Sequence, residues 1–150
     1  MKINISKKQY EVLIKALEMS SFIYGPLSDM VDKKFKKDSD EIESLEKYFL
    51  TYAKDFHFEK NLCSPDELHL DEDYYMKILD DLEQYDDRQL FDNLANELAK
   101  RDFRNKYSKK EIEALHKEHG DYLGVPMYDF EKKYYDEFND KGYDRLFIKE

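Results

Sequence analysis

Apolar residues recur every three or four positions along most of this chain, and little in it can turn the backbone sharply. In "ISKKQYEVLIKALEMSSFIYGP" the residues Tyr10, Leu13, Ile14, Leu17 and Tyr24 share one helical stripe. Ser6 with Gln9 three residues on makes a capping box ahead of that stripe, and Gly25-Pro26 is expected to end it. Four glycines and three prolines in 150 residues are too few for the tight turns of a sandwich or barrel, while helix formers abound. The pattern predicts a mainly α fold, a single helical domain over residues 1–150 with roughly five to seven helices.

Further along, Leu27 to Lys37 reads as a solvated connection or a short helix. Asp38 and Glu41 are expected to cap a second long helix carrying Ile42, Leu45, Phe49, Tyr52, Ala53 and Phe56. Residues 57–70 lose the period, contain Pro65 and read as a loop. Tyr75, Ile78, Leu79 and Leu82 make the next stripe. A break is expected at Asp86-Asp87, which can cap a further helix through Leu90, Phe91, Leu94, Ala95, Leu98 and Ala99. Ser108 with Glu111 opens another helix that Gly120 closes, and Gly124 and Pro126 mark a loop. A last helix is expected from about Asp129 to Lys141, with Gly142 as its cap. Ile3 and Ile5 at one end and Leu146 and Ile148 at the other alternate as short strands do, so the termini can pair as a small two-stranded ribbon.

A chain with 41% apolar and 15% aromatic residues has enough material for an ordinary core. Cys63 is the lone cysteine and cannot pair within the chain. The N-terminal stretch lacks the apolar run of a secretory signal, and no run approaches the ~20 apolar residues of a membrane span, so a cytoplasmic protein without membrane attachment is expected.

The net charge of -10 is concentrated in one place. Asp66, Glu67, Asp71, Glu72, Asp73, Asp80, Asp81, Glu83, Asp86 and Asp87 stand against Lys77 alone, and the rest of the chain is nearly neutral. This segment would repel a phosphate backbone and attract a basic partner. Part of the pattern is the wet side of an amphipathic helix, since Asp73, Asp80 and Asp87 recur every seven residues opposite the apolar stripe. Amphipathicity does not account for the near absence of lysine and arginine, because exposed helices usually intersperse both signs.

Signs of other chemistry are sparse. In "EALHKEHG", Glu113 and His116 have the carboxylate-to-histidine spacing of a di-metal helical bundle, and Asp66 and His69 repeat it in a Pro-containing stretch. Helix-end histidines before Gly120 suit the negative end of the helix dipole without any metal. "DEDYYMKILDD" lacks the glycine and closing glutamate of a calcium loop, and no phosphate loop, nucleophile elbow or dinucleotide fingerprint occurs, so no cofactor is called for. Asp102 falls one turn after Leu98 on an apolar face, where a carboxylate must be paired or reach water. The candidates for holding it are Arg101, Arg104, Arg145 or a backbone amide, in a structural role that fixes how "YDRLFI" docks. A general base or partner-binding charge is the functional alternative. Adjacent tyrosines at Tyr74-Tyr75 and Tyr134-Tyr135 cannot all face one core and suit either the edge of the core or a subunit interface.

Three segments, "ISKKQYEVLIKAL", "FDNLANELAKRDFRNKY" and "KYYDEFNDKGYDRLFI", together resemble a family of small acidic bacterial proteins of unassigned function, with an amphipathic first helix, an ELAxRD-type helix and a closing YxxEFxxxGxDRLxI pattern. The chain departs from that family at "EMSSFIYGPL", where a tryptophan-containing stretch is replaced. The resemblance implies a bacterial cytoplasmic origin and one compact domain, and no site residues. The functional expectation is therefore a non-catalytic interaction or regulatory protein. Its partner-binding face would comprise Asp71, Glu72, Asp73, Asp80, Asp81, Glu83, Asp86 and Asp87, presented to a basic protein, with mimicry of nucleic acid as the sharper form of this expectation. A metal-dependent enzyme using Glu113, His116, Asp66 and His69, and a self-associating structural protein, are the alternatives.

Overall fold

The computed structural model describes residues 3–64, 67–120 and 123–147. Among them are five α-helices and one two-stranded antiparallel ribbon, the mainly α architecture that the periodicity predicts. Contacts gather into two compact units, Met1–Glu83 and Gln84–Glu150.

In the first unit, helix α1 (Lys7–Pro26) starts at the expected capping box: the Ser6 hydroxyl accepts from the Gln9 amide at 3.3 Å, and the Gln9 side chain accepts from the Ser6 amide at 2.8 Å. Regular α geometry ends at Pro26, but the chain does not leave the helical region there. It continues through a π-helical turn (Leu27–Val31), because Gly25 is not left-handed and Leu27 remains helical at φ -60. Extended Asp32 ends that turn, its carboxylate accepting from the Lys34 amide at 2.8 Å. A short 3-10 turn then leads into α2 (Lys36–Leu50). Asp38 lies inside the first turn of α2 and caps nothing; its charge favours the positive end of the helix dipole.

Helix α2 is also shorter and rotated relative to expectation. It gives way at Leu50, before the expected stripe ends at Phe56, to turns that close at His57, whose positive φ of 53 redirects the chain. Glu46, Leu50 and Ala53 are buried, whereas Leu45, Tyr48 and Tyr52 face solvent. Residues 57–70 are not a plain loop: Leu62–Ser64 (β1) pairs with Glu67–Leu70 (β2), Leu62 opposite Leu70 and Ser64 opposite Glu67. The ribbon thus forms in the middle of the chain. Ile3 and Ile5 precede α1 without strand pairing, Leu146 follows a turn that its amide closes on the Tyr143 carbonyl, and Ile148 lies outside the described residues.

Tyr10, Ile14, Leu50, Ala53, Phe58, Leu62, Leu70 and Ile78 form the core of this unit. Tyr10 is its pivot. Its ring stacks on Phe56 at 4.2 Å and meets Phe58 edge-on, while its hydroxyl donates to the Phe49 carbonyl at 2.7 Å, so a polar atom with no access to water is satisfied.

Helix α3 runs unbroken from Glu72 to Lys106. The break expected at Asp86-Asp87 does not occur. No glycine or proline interrupts this stretch, and the Asp87 carboxylate accepts from the Tyr143 hydroxyl at 2.5 Å instead of competing for backbone amides. The second unit uses the later part of α3 with α4 (Lys109–His119) and α5 (Gly124–Lys141). The Ser108–Glu111 capping box opens α4, and positive-φ Gly120 follows it. Helix α5 begins earlier than expected, since Pro126 falls in its first turn, where no intrahelical amide is required. Ala99, Phe103 and Met127 are buried together, with Phe130 edge-on to Phe103 and Phe91 stacked on Phe138.

Candidate functional site

The acids of the charged segment divide by what they touch. Asp71 is half-buried and serves the fold: its carboxylate accepts from the Tyr74 amide at 2.8 Å, capping α3, and its own amide donates to the Asn61 carbonyl at 2.8 Å. Asp81 pairs with Lys15 of α1. Asp87 holds Tyr143. The hydrogen bond to that carboxylate raises the Tyr143 phenol above its ordinary range. Glu67 lies on β2, and Asp66 is outside the described residues.

Glu72, Asp73, Asp80 and Glu83 are exposed. At 100° per residue they fall within about 100° of one another on α3, with Asp81 rotated away toward Lys15. Their isolation from positive charge is incomplete, because Lys60 and Lys77 share a surface hollow with Glu72 and Asp73. In the second unit Asp86 is exposed, and Arg88 just beyond it pairs with Asp92 at 3.1 Å and lies over the Tyr135 ring.

Asp102 is held within the second unit. The Tyr134 hydroxyl donates to it at 2.5 Å, Arg101 at 2.9 Å and Lys133 at 3.3 Å. The first of these bonds, with the two cations behind it, holds its carboxyl at about 2, below the ordinary aspartate range. The partners differ in part from the expected set. Arg145 pairs with Glu137 at 3.1 Å, and Arg104 is exposed on α3, so the anchor of Asp102 is α5 and not the "YDRLFI" segment. Tyr134 is engaged here and Tyr135 lies beneath Arg88, while Tyr74 packs edge-on against Phe58 at 5.2 Å and Tyr75 meets Phe22 at 5.3 Å, so both members of each tyrosine pair make contacts within the fold.

No group of three or more His, Cys, Asp or Glu side chains among the described residues is arranged to hold a metal ion. Glu113 and His116 are exposed on α4, and His69 is exposed on β2 in the other unit. Helix-forming sequence sets the first two at one turn's spacing, but no further ligand joins them. Cys63 is exposed on β1, its thiol 3.0 Å from the Leu70 carbonyl across the ribbon.

One group went unnoticed in the sequence. Glu46 of α2 is only 8% exposed and hydrogen-bonds the carboxyl of Glu18 on α1, beside a pocket of about 400 Å3. Burial, then the bond to Glu18, pushes its carboxyl up to about 9. A signal for it existed. Glu18 lies one turn after Ile14 and one before Phe22, and Glu46 one turn after Ile42 and one before Leu50, so both interrupt apolar stripes as Asp102 does.

Among the described residues no helix is long and apolar enough to cross a membrane. No protein-family model, curated protein or solved structure matches this chain.

Proposed function

We propose that this protein is a non-catalytic binding module whose outward-facing acids on α3, Glu72, Asp73 and Glu83, engage a basic protein partner in the cytoplasm. The observation that carries the reading is the division of the acidic segment. Asp71, Asp81 and Asp87 are used by the fold, whereas Glu72, Asp73 and Glu83 point outward from one side of the helix. Like charges crowded on one side of a helix destabilise it slightly when the protein is alone, and a cationic surface relieves that repulsion on contact. A nucleic-acid-binding protein is the natural form of such a partner, with the carboxylates standing in for phosphates.

Affinity purification at about 0.05 M and about 0.5 M salt tests this, because the Debye length falls from over 10 Å to about 4 Å across that range. Partners held at low salt should be released at high salt, and competitor DNA should displace them. Retention of the same partners at both salts would contradict the proposal.

A further inference from the structure

We propose that Glu18 and Glu46 form a proton-dependent clasp that holds α1 against α2 and releases them when the shared proton is lost. Glu18 of α1 and Glu46 of α2 line one pocket where the two helices pack together. Two carboxyl groups can hydrogen-bond only if one of them carries a proton, and Glu46 makes that bond from a position almost closed to water. Each residue occupies the apolar stripe of its own helix, so the pair sits in the interface that joins the two. With the proton gone, two like charges would face each other at hydrogen-bonding distance in a site of low dielectric, where repulsion is strongest.

The surrounding groups offer little relief: Lys47 favours the charged form, but its influence is the smallest of those acting on Glu46. On α2, Glu43 adds negative charge, and Lys47, the nearest cation, is already bonded to Glu43 at 2.5 Å. From β2, His69 lines the same pocket. From α3, Tyr75 lines the pocket and brings no positive charge. On α1 the facing titratable group is Glu18 itself. The adjacent pocket gives the separated side chains and incoming water room to move, so release can be local.

The sign of the pH dependence follows from the raised carboxyl. A proton held more tightly in the folded state stabilises the fold fully below the ordinary glutamate range, and that contribution is lost as pH rises toward 9. The test is amide hydrogen exchange of residues 14–25 and 43–50 at pH 6 and pH 9.5, corrected for the intrinsic chemical rate, in the full-length protein and in Glu46→Gln. The wild type should lose protection at least about tenfold at the higher pH, while Glu46→Gln, which keeps the bond without an ionisable group, should lose none. Equal loss in both proteins, or none in the wild type, would overturn the clasp. Carboxyl carbon NMR of the wild type provides a second reading that needs no variant. One glutamate should titrate near 9, and if every glutamate titrates below pH 6 the proposal fails.

Discussion

Replacing Tyr10 by alanine is expected to cost about 3–5 kcal/mol of folding stability, the range for removing a large aromatic side chain from a packed core. The ring has no exposed surface, stacks on Phe56, meets Phe58 edge-on, and lies beside Ile14 and Leu50 in the first unit's core. Few neighbours can collapse into the space it would leave, since several are themselves aromatic or fixed on helix backbones. Tyr10→Phe separates ring from hydroxyl. It should cost only about 0.5–1.5 kcal/mol, because the Phe49 carbonyl that loses the tyrosine donor still accepts from the Tyr52 amide at 2.9 Å. Burial pushes this phenol up to about 12, so its contribution should be constant across the neutral range. Urea denaturation of the two variants checks both values. A phenylalanine variant as unstable as the alanine variant would mean that the hydroxyl, and not the ring stack, organises this core.

The second large effect is expected at Asp102. Asp102→Asn removes a charge-assisted acceptor shared by Tyr134, Arg101 and Lys133, and should cost about 1.5–3 kcal/mol. The carboxyl titrates at about 2 when folded, below its ordinary value, so its contribution is present above the ordinary aspartate range and disappears as pH falls through about 2. This is the opposite sense to Glu46, whose contribution is lost toward alkali. A double-mutant cycle of Asp102→Asn with Tyr134→Phe at pH 7 should give a coupling of about 1 kcal/mol or more, shrinking below pH 3. Additive losses at both pH values would contradict the link between α3 and α5.

The contrast between these two carboxyls indicates what could be read in advance. Asp102 was recognisable because it follows Leu98 by one turn in an otherwise regular stripe, and the same pattern at Glu18 and Glu46 signals burial equally well. Each pattern identifies a constrained acid, but its partner is fixed by tertiary packing: Glu18 meets Glu46 across two helices, and Asp102 meets Tyr134 across thirty-two residues. Helix starts at Ser6 and Ser108 were legible for a simpler reason. A capping box closes within four residues and depends on little outside itself.

Where expectation and structure part, competing local preferences were resolved by distant contacts. Asp86-Asp87 has the composition of a helix start, yet Tyr143 occupies the Asp87 carboxylate and α3 passes through. Leu45 and Tyr52 match the helical period as well as Leu50 does, but the side of α2 turned toward α1 carries Glu46 and Leu50. Strands as short as β1 and β2 carry almost no periodic signal, so the ribbon was visible only as a region where helical periodicity fails. The acidic segment was legible as charge, but its division between capping, pairing and outward-facing residues required coordinates.

That division can be tested by removing three charges of each kind. The variant Asp71→Ala, Asp81→Ala, Asp87→Ala loses a helix cap, an ion pair and the acceptor for Tyr143, together about 2–3 kcal/mol, and should melt roughly 5–10 °C below the wild type. The variant Asp73→Asn, Glu83→Gln, Asp86→Asn removes the same net charge from exposed positions and should melt within about 2 °C of the wild type. Equal depression of the two melting temperatures, or a larger one in the second variant, would mean that the outward acids also serve the fold and are not held in reserve for a partner.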